Sequence, residues 1–442
     1  MRMMLLSKLR EKINQRQAIL GVIGLGYVGL PVAASFAQAG FRVVGVDVKT
    51  ERVNMINARC NPIDGEEPGL DQLLKEVVSE GRLKASSDYA QLVEADVILI
   101  DVETPVDEKH QPDYSALASA CADLGSVIKK GALVIVESTV SPGTTQKLVC
   151  TLLEESSGGR VNLDFFLGVC PERVMPGKLL LNLRTMNRVC GGNTPKTADT
   201  MVALYRHVVE GELDTTDLVT AEVVKTTENA YRDVQIAFAN EVALICEAIG
   251  ADVWTVRQLV NKVPSRDMHL PGAGVGGHCI PKDPWLLVHG AGSRAHVRLI
   301  PRARSINENM PNHMADLTRR AIEAAGIKLA SARVAVLGYA YLENSDDMRN
   351  SPSSVLVTRL KDQGVEIVVH DPWVEDYRGD LFGAVKDRDA VVVMVAHDEY
   401  RQIDLIKLKA ALRTPILVDG RHIFDQTQVE TAGFVYRCIG KG

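Results

Sequence analysis

The sequence has no run of about 20 apolar residues, the length a membrane-spanning helix needs. Its longest aliphatic stretches are short, such as Val391–Ala396 and Ala132–Val136. Basic charge is not in excess: 50 Lys and Arg stand against 56 Asp and Glu, a formal charge of −6, so no broad basic face for nucleic acid is expected. There is no CxxC pair and no His/Cys spacing suited to zinc. The eight cysteines are scattered, so no metal site is expected, and reduced thiols in a cytoplasmic protein are. No collagen-like period, low-complexity tract or fixed-period repeat occurs, and 46% apolar residues exceeds what a disordered chain carries. The opening MRMMLLSKLREKI sets Arg2, Lys8, Arg10 and Glu11 around a four-residue apolar block. That is short of the about 7–15 residues of a secretory h-region, and it reads as a short amphipathic helix.

What remains is a globular chain of 442 residues, enough for two or three domains at roughly 150 residues each. From Ala18 the text runs strand, glycine turn, helix, strand, and strand-length apolar runs recur at Ala95–Ile100, Ala132–Val136 and Phe165–Val169. Helical patterns at Tyr114–Lys129 and Thr144–Glu155 separate them, which implies a parallel sheet with helices on both faces. From Asp217 to Leu259 apolar residues fall at helical spacing, and after a glycine-rich interruption a second helical stretch covers Val297–Ala325. At Ala332 the strand–helix alternation returns. The expected architecture is α/β: two Rossmann-like doubly wound domains flanking a central all-helical domain with a long connecting helix, divided at 1–212, 213–328 and 329–442.

Gly24-Leu-Gly26-Tyr-Val-Gly29 follows an apolar strand and opens a helix, and Asp47 ends the next strand about 20 residues on. Glycines there permit a tight turn and close backbone approach, the helix N-terminus offers free N–H groups to a pyrophosphate, and an acidic side chain takes the ribose hydroxyls. Asp47 favours NAD over NADP; Arg52 nearby argues the other way. Ligands of open parallel sheets lie at the carboxyl ends of strands. The residues after the later strands, Thr104-Pro105, Ser138-Thr139 and Pro171-Glu172-Arg173, are therefore candidates for contact, although each is also ordinary turn chemistry.

In the middle section Lys225, Asn229 and Arg232 share one helix face, which by itself reads as a solvated stripe with Glu228 as counter-charge. The stronger signal is PGAGVGGHCIPKDP around Cys279. Its glycines deny the loop regular structure and are expected to bring backbone and thiol against a ligand. A cysteine is more often a small buried hydrophobe. Here the loop before it and Lys282-Asp283 behind it favour a reactive thiolate.

GLGYVGLP, CPERVMPG, KTTENAYRD and GVGGHCIPKDP together resemble the UDP-glucose/UDP-mannuronate dehydrogenase family, in family order and across nearly the whole chain. The resemblance implies oxidation of a sugar C6 alcohol to a carboxylate in two NAD-dependent hydride transfers, the aldehyde being held on the enzyme. By motif matching, Cys279 would form a thiohemiacetal and then a thioester, and Lys225 and Asn229 would stabilise the oxyanion. Asp283 and Thr139 would order the hydrolytic water, with Glu172 as general base. Gly24, Gly26, Tyr27, Val28, Gly29, Asp47, Arg52, Thr104, Ser138, Lys282 and Arg349 would hold NAD. Arg173, Val174, Arg232, Arg266, Gly276, Tyr341 and Arg421 would hold the UDP-sugar, its UDP half on the C-terminal domain. Subunits would pair on the helix around Val297–Ala325, giving a homodimer or a larger homo-oligomer.

TENAYRDVQIAFANEVALICE and PGAGVGGHCIPKDPWLL are most similar to enzymes acting on UDP-N-acetylmannosamine, which implies a 2-acetamido sugar for surface polysaccharide or glycan synthesis. UDP-N-acetylglucosamine, UDP-N-acetylgalactosamine and UDP-glucose are the alternatives, although Pro176 stands where UDP-glucose enzymes carry a second glutamate. Two departures stand out. Tyr341-Leu342-Glu343 replaces a segment that in relatives carries a lysine, and Ala273 replaces a frequent proline. Leu342 supports a different class of reading, a nucleotide-sugar sensor without turnover. A third is a two-electron dehydrogenase with Lys225 as base, which leaves Cys279 unexplained.

Overall fold

Apolar runs become strands where a parallel sheet is covered on both faces and every side chain must be buried. The computed structural model describes residues 2–63, 65 and 67–442, the side chains of Arg2 and Met3 excepted. It comprises two compact units, Met1–Glu228 with Trp285–Ala295, and Asn229–Pro284 with His296–Gly442.

The first unit holds β1 (Ile19–Ile23), β2 (Arg42–Val46), β3 (Leu83–Ser86), β4 (Val97–Ile100), β5 (Leu133–Val136), β6 (Phe166–Val169), β7 (Arg188–Gly192) and β8 (Leu213–Asp217). They form one sheet in the order β3-β2-β1-β4-β5-β6-β7-β8, whose first six positions follow the dinucleotide-binding order. Alternate residues feed opposite faces: Leu20, Val22, Val97, Leu99 and Phe166 on one, Ile23, Ile98, Ile100, Val134 and Leu167 on the other. The expectation of a parallel sheet needs one correction. β7 runs antiparallel to β6, through Gly168↔Gly192 and Val169↔Gly191. The segment between them carries a rim loop and the short helix Leu179–Thr185 and re-enters the sheet at the end it left. β8 then pairs parallel to β7 through Arg188↔Leu213 to Gly192↔Asp217, an edge that the polar text LDTTD does not advertise.

The second unit holds β9 (Arg333–Leu337), β10 (Glu366–His370), β11 (Ala390–Val393), β12 (Ile416–Asp419) and β13 (Val435–Cys438), all parallel, in the order β10-β9-β11-β12-β13. This is the other doubly wound order. Between the sheets the described residues form no strand. The long helices are Leu218–Ile249 and Leu299–Ala324, the second continuing through Pro311. Met310, Met314, Ala321 and Ile322 of the latter pack with Ala239 and Ala243 of the former and with Val334, Val336 and Val392 of the sheet. What Leu299–Ala324 leaves exposed is mainly polar: Arg302, Ser305, Glu308, Asn309, Arg320 and Glu323. Apart from Leu299 at its start, the exposed large apolar side chains of the two helices lie on the longer one, chiefly at Tyr231, Phe238, Ile245 and Ile249.

Candidate active site

The glycine turn is built as its spacing requires. Gly24 has φ +91°, and a Cβ there would run into the Asp101 carbonyl. One at Gly29 would meet the Gly24 carbonyl, whereas a Cβ at Gly26 would meet nothing within 4 Å among the described residues. Gly26 is thus the open side of the turn. The helix Gly29–Gln38 begins there with Val28 as N-cap, no side-chain cap bond and no acidic residue in its first turn. These N–H groups and the open backbone fit a dinucleotide pyrophosphate. Asp47 is buried and largely engaged: Oδ2 accepts from Leu25 N (2.8 Å) and from Arg52 (2.8 Å), and Oδ1 from Lys49 N (2.8 Å). Arg52 is therefore Asp47's partner.

At the rim, the Thr104 hydroxyl donates to the Thr139 carbonyl at 2.6 Å and the Ser138 hydroxyl to the Val102 carbonyl at 2.6 Å. These bonds tie together the segments leaving β4 and β5. Glu172 Oε2 accepts from Val174 N (2.7 Å), and its carbonyl accepts from Lys225 Nζ (2.6 Å), which also stands 3.9 Å from Glu172 Oε1. Lys225 is buried, so the solvated-stripe reading fails for it; Asn229 is half-buried and only Arg232 is exposed. Glu228 pairs with Arg173, whose Nε donates to Oε2 at 2.9 Å.

In the second unit, Cys279 is the exposed first residue of the helix Cys279–Ala291. A helix N-terminus lowers a thiol's pKa. One turn on, Asp283 is fully buried, and its Oδ2 accepts from Asn229 Nδ2 at 2.6 Å. Its Oδ1 has no hydrogen-bond partner among the described residues and lies 3.6 Å from Lys282 Nζ. The glycines before Cys279 also meet a packing demand that the sequence did not announce. A Cβ at Gly274 would press on Pro352 (2.9 Å), at Gly276 on Tyr341 Cβ (2.6 Å), and at Gly277 on the Tyr341 ring (2.7 Å). At these positions glycine lets the loop pack against its own chain. It is further held by Gly277 N to the Arg349 carbonyl (2.8 Å) and Asn350 Nδ2 to the Gly277 carbonyl (3.0 Å).

Tyr341 and Arg349 lie within electrostatic reach of Cys279, and burial pushes the Tyr341 phenol up to about 12. Arg421 donates from Nε to the Met394 carbonyl (2.7 Å) and closes on Gly272. Arg266 stands apart in an exposed loop, against Ser265.

Several groups carried no motif. Burial and the neighbouring Glu137 hold the Asp101 carboxyl well above its usual range. Glu137 in turn accepts from Arg188 (3.1 Å) and from the Tyr205 hydroxyl (2.5 Å). This network knits the ends of β4 and β5 to β7. Glu222 caps the segment after Thr139, accepting from Gly143 N (2.5 Å) and Thr145 N (2.8 Å). Glu67 accepts from the Tyr27 hydroxyl, Gly177 N and Leu179 N. An isolated carboxylate partnered by distant backbone leaves no spacing signature.

Comparison with known proteins bears on this arrangement. Residues 18–209, 219–309 and 335–426 match, in turn, the NAD binding, central and UDP binding domains described for the UDP-glucose/GDP-mannose dehydrogenase family. The UDP-N-acetyl-D-mannosamine dehydrogenase of Pyrococcus horikoshii is 41% identical over 96% of this chain and 99% of its own length. Its solved structure superposes with TM-score 0.90 over 96% of this chain and 99% of that one. The NDP-N-acetyl-D-galactosaminuronic acid dehydrogenase of Methanosarcina mazei is 36% identical, with TM-score 0.87 over 98% of both chains.

Proposed function

We propose a substrate and a chemical course for this chain, which belongs to the UDP-glucose/GDP-mannose dehydrogenase family and is an NAD-dependent nucleotide-sugar dehydrogenase. The substrate is a UDP-N-acetylhexosamine, UDP-N-acetyl-D-mannosamine first, oxidised at C6 to the uronic acid. Identity of 41% to the Pyrococcus enzyme over almost the whole chain supports the mannosamine assignment. Overall, one alcohol, one water and two NAD give one carboxylate, two NADH and three protons.

The observation that carries the mechanism is Cys279, an exposed thiol opening a helix with Lys282 and Asp283 in its first turn. The Gly24–Gly29 turn would hold NAD, two molecules of which, bound in succession, would each supply the acceptor for one hydride. Cys279 Sγ adds to the C6 aldehyde, forming a C–S bond and an oxyanion that Lys225 and Asn229 stabilise. Loss of the second hydride leaves a thioester. Water ordered by Asp283, whose Oδ1 is an open acceptor, and by Thr139 then attacks the thioester carbon. The C–S bond breaks, Cys279 leaves as thiolate, and Glu172 takes the water proton.

Tyr341 and Arg421 serve the UDP half, with residues 1–212 as the NAD part, 213–328 as the catalytic middle and 329–442 as the UDP part. A catalytic thiolate and a nucleotide-sugar substrate support a cytoplasmic location for the reaction. Two copies pair through the apolar face of Leu218–Ile249, in place of the polar face of Leu299–Ala324.

The test is a panel of UDP-N-acetylmannosamine, UDP-N-acetylglucosamine, UDP-N-acetylgalactosamine and UDP-glucose with NAD, counting NADH per sugar consumed. Two NADH, with the mannosamine sugar giving the highest kcat/KM, is expected, and Cys279→Ser should abolish steady-state turnover. One NADH per sugar points to the two-electron reaction. Tight binding of every sugar with no NADH points to a sensor.

A further inference from the structure

Glu67 lies in the first unit just ahead of the helix Leu70–Ser79, far in sequence from every group it touches. Its Oε1 accepts from the Tyr27 hydroxyl, inside the glycine turn, and from Gly177 N at 2.8 Å; its Oε2 accepts from Leu179 N at 3.2 Å. Leu179 opens the helix Leu179–Thr185, whose N-cap Lys178 supplies no side-chain cap bond. The carboxylate that faces this helix start thus comes from 112 residues away. Asn182 holds the same segment from the other side, its Oδ1 accepting from Met175 N at 3.0 Å.

The pinned segment is continuous with Glu172. From Gly177 it runs back through Met175 to Val174, whose N–H holds Glu172 Oε2 at 2.7 Å. A single carboxylate therefore links a dinucleotide-turn side chain to the loop that orients Glu172. A glutamate gives two acceptor oxygens to three donors. Glutamine would turn one of those oxygens into a donor facing another donor.

We propose that Glu67 is a positioning residue for thioester hydrolysis, holding Glu172 in register with the Tyr27 turn. This rests on the reading of Glu172 as the base of that step. Misplacement of a catalytic group by about 1 Å costs up to about a hundredfold in rate. Loosening this loop should therefore slow hydrolysis while leaving both hydride transfers intact.

The experiment follows a rapid-mixing NADH trace and the intact mass of the quenched protein, with UDP-N-acetylmannosamine and NAD. In Glu67→Gln, a burst of about two NADH per site is expected, followed by steady-state turnover slowed about tenfold or more. A sugar adduct should build up on Cys279. Glu172→Gln is the reference. An adduct in Glu172→Gln but none in Glu67→Gln, or unchanged turnover in Glu67→Gln, overturns the role of Glu67. No adduct in either variant sinks the reading of Glu172, and this inference with it. If Glu67→Gln fails to fold, Glu67→Asp keeps the charge but draws both oxygens back from the three donors. There a slowing of about threefold in the second phase alone is expected, and an unchanged second phase overturns the proposal.

Discussion

Asp47 and Asp371 hold the same position in the two sheets, each directly after the second strand of its unit, and each accepts from backbone N–H groups of a glycine turn. Asp47 takes Leu25 N after Gly24 (φ +91°); Asp371 takes Tyr339 N (2.6 Å) and Ala340 N (2.9 Å) after Gly338 (φ +93°). Asp371 also receives His397 Nε2 at 3.2 Å, while His397 Nδ1 accepts from Asn344 N at 2.9 Å, a pattern that assigns the Nε2–H tautomer. Burial opposes ionisation of Asp371, yet His397 and the two backbone donors outweigh it and hold the carboxyl down at about 2, against 3.8. A depressed carboxyl stabilises the fold above its unfolded value and ceases to as pH falls through the folded one. The contribution is about 2 kcal/mol, complete above about pH 5 and roughly half gone near pH 3. Denaturant unfolding at these two pH values should show the drop in the native protein and a flatter dependence in Asp371→Asn. Equal slopes would remove the assignment.

Elements were legible where periodicity is strong and obscure where it is not. β1, β4, β5, β9 and β11 are runs such as ILGVI, VILI and AVVV, buried on both faces, and the text marks them plainly. β8, LDTTD, is an edge strand with little buried surface, so nothing in its sequence distinguishes it from a loop. Lys225 was readable as a face position, but its burial depends on the Glu172 carbonyl, 53 residues away. Such partners are set by tertiary structure alone.

The two long helices show the same limit. Asp233 of one and Arg304 of the other are fully buried, with Arg304 Nη1 to Asp233 Oδ1 at 2.6 Å and Asn307 Nδ2 to the same oxygen at 2.7 Å. Neither residue lies in a motif. Removing Asp233 leaves Arg304 to the half-exposed Glu308, whose Oε1 accepts from Arg304 Nε at 3.3 Å. Breaking a buried pair in this way costs up to about 3–5 kcal/mol, whereas replacing both by apolar residues of similar volume is close to neutral. Asp233→Ala should therefore lose about that much unfolding free energy, and Asp233→Leu with Arg304→Met should recover most of it. A loss below about 1 kcal/mol in the single variant would show that the pair is not what joins these helices.

For the whole molecule, the open matter is what covers the apolar face of Leu218–Ile249. Tyr231, Phe238 and Ile245 recur every seven residues, so they form one stripe along the helix, extended by Ile249; they are 63%, 57%, 53% and 72% exposed. A row of large apolar side chains at heptad spacing is how helices pair, and single exposed apolar residues do not fall into such a row by chance. The same face on a second copy is self-complementary about a two-fold axis, which makes a homodimer the simplest closed assembly. A chain of 48.2 kDa should then elute with twice that mass by light scattering at micromolar concentration. Phe238→Glu with Ile245→Glu places two charges in the seam, each opposite an apolar neighbour, and should leave the single-chain mass. Arg302→Glu with Ser305→Lys, on the exposed face of Leu299–Ala324, should leave the dimer intact. A double mass that survives the first pair of substitutions and fails with the second would move the contact to the other helix.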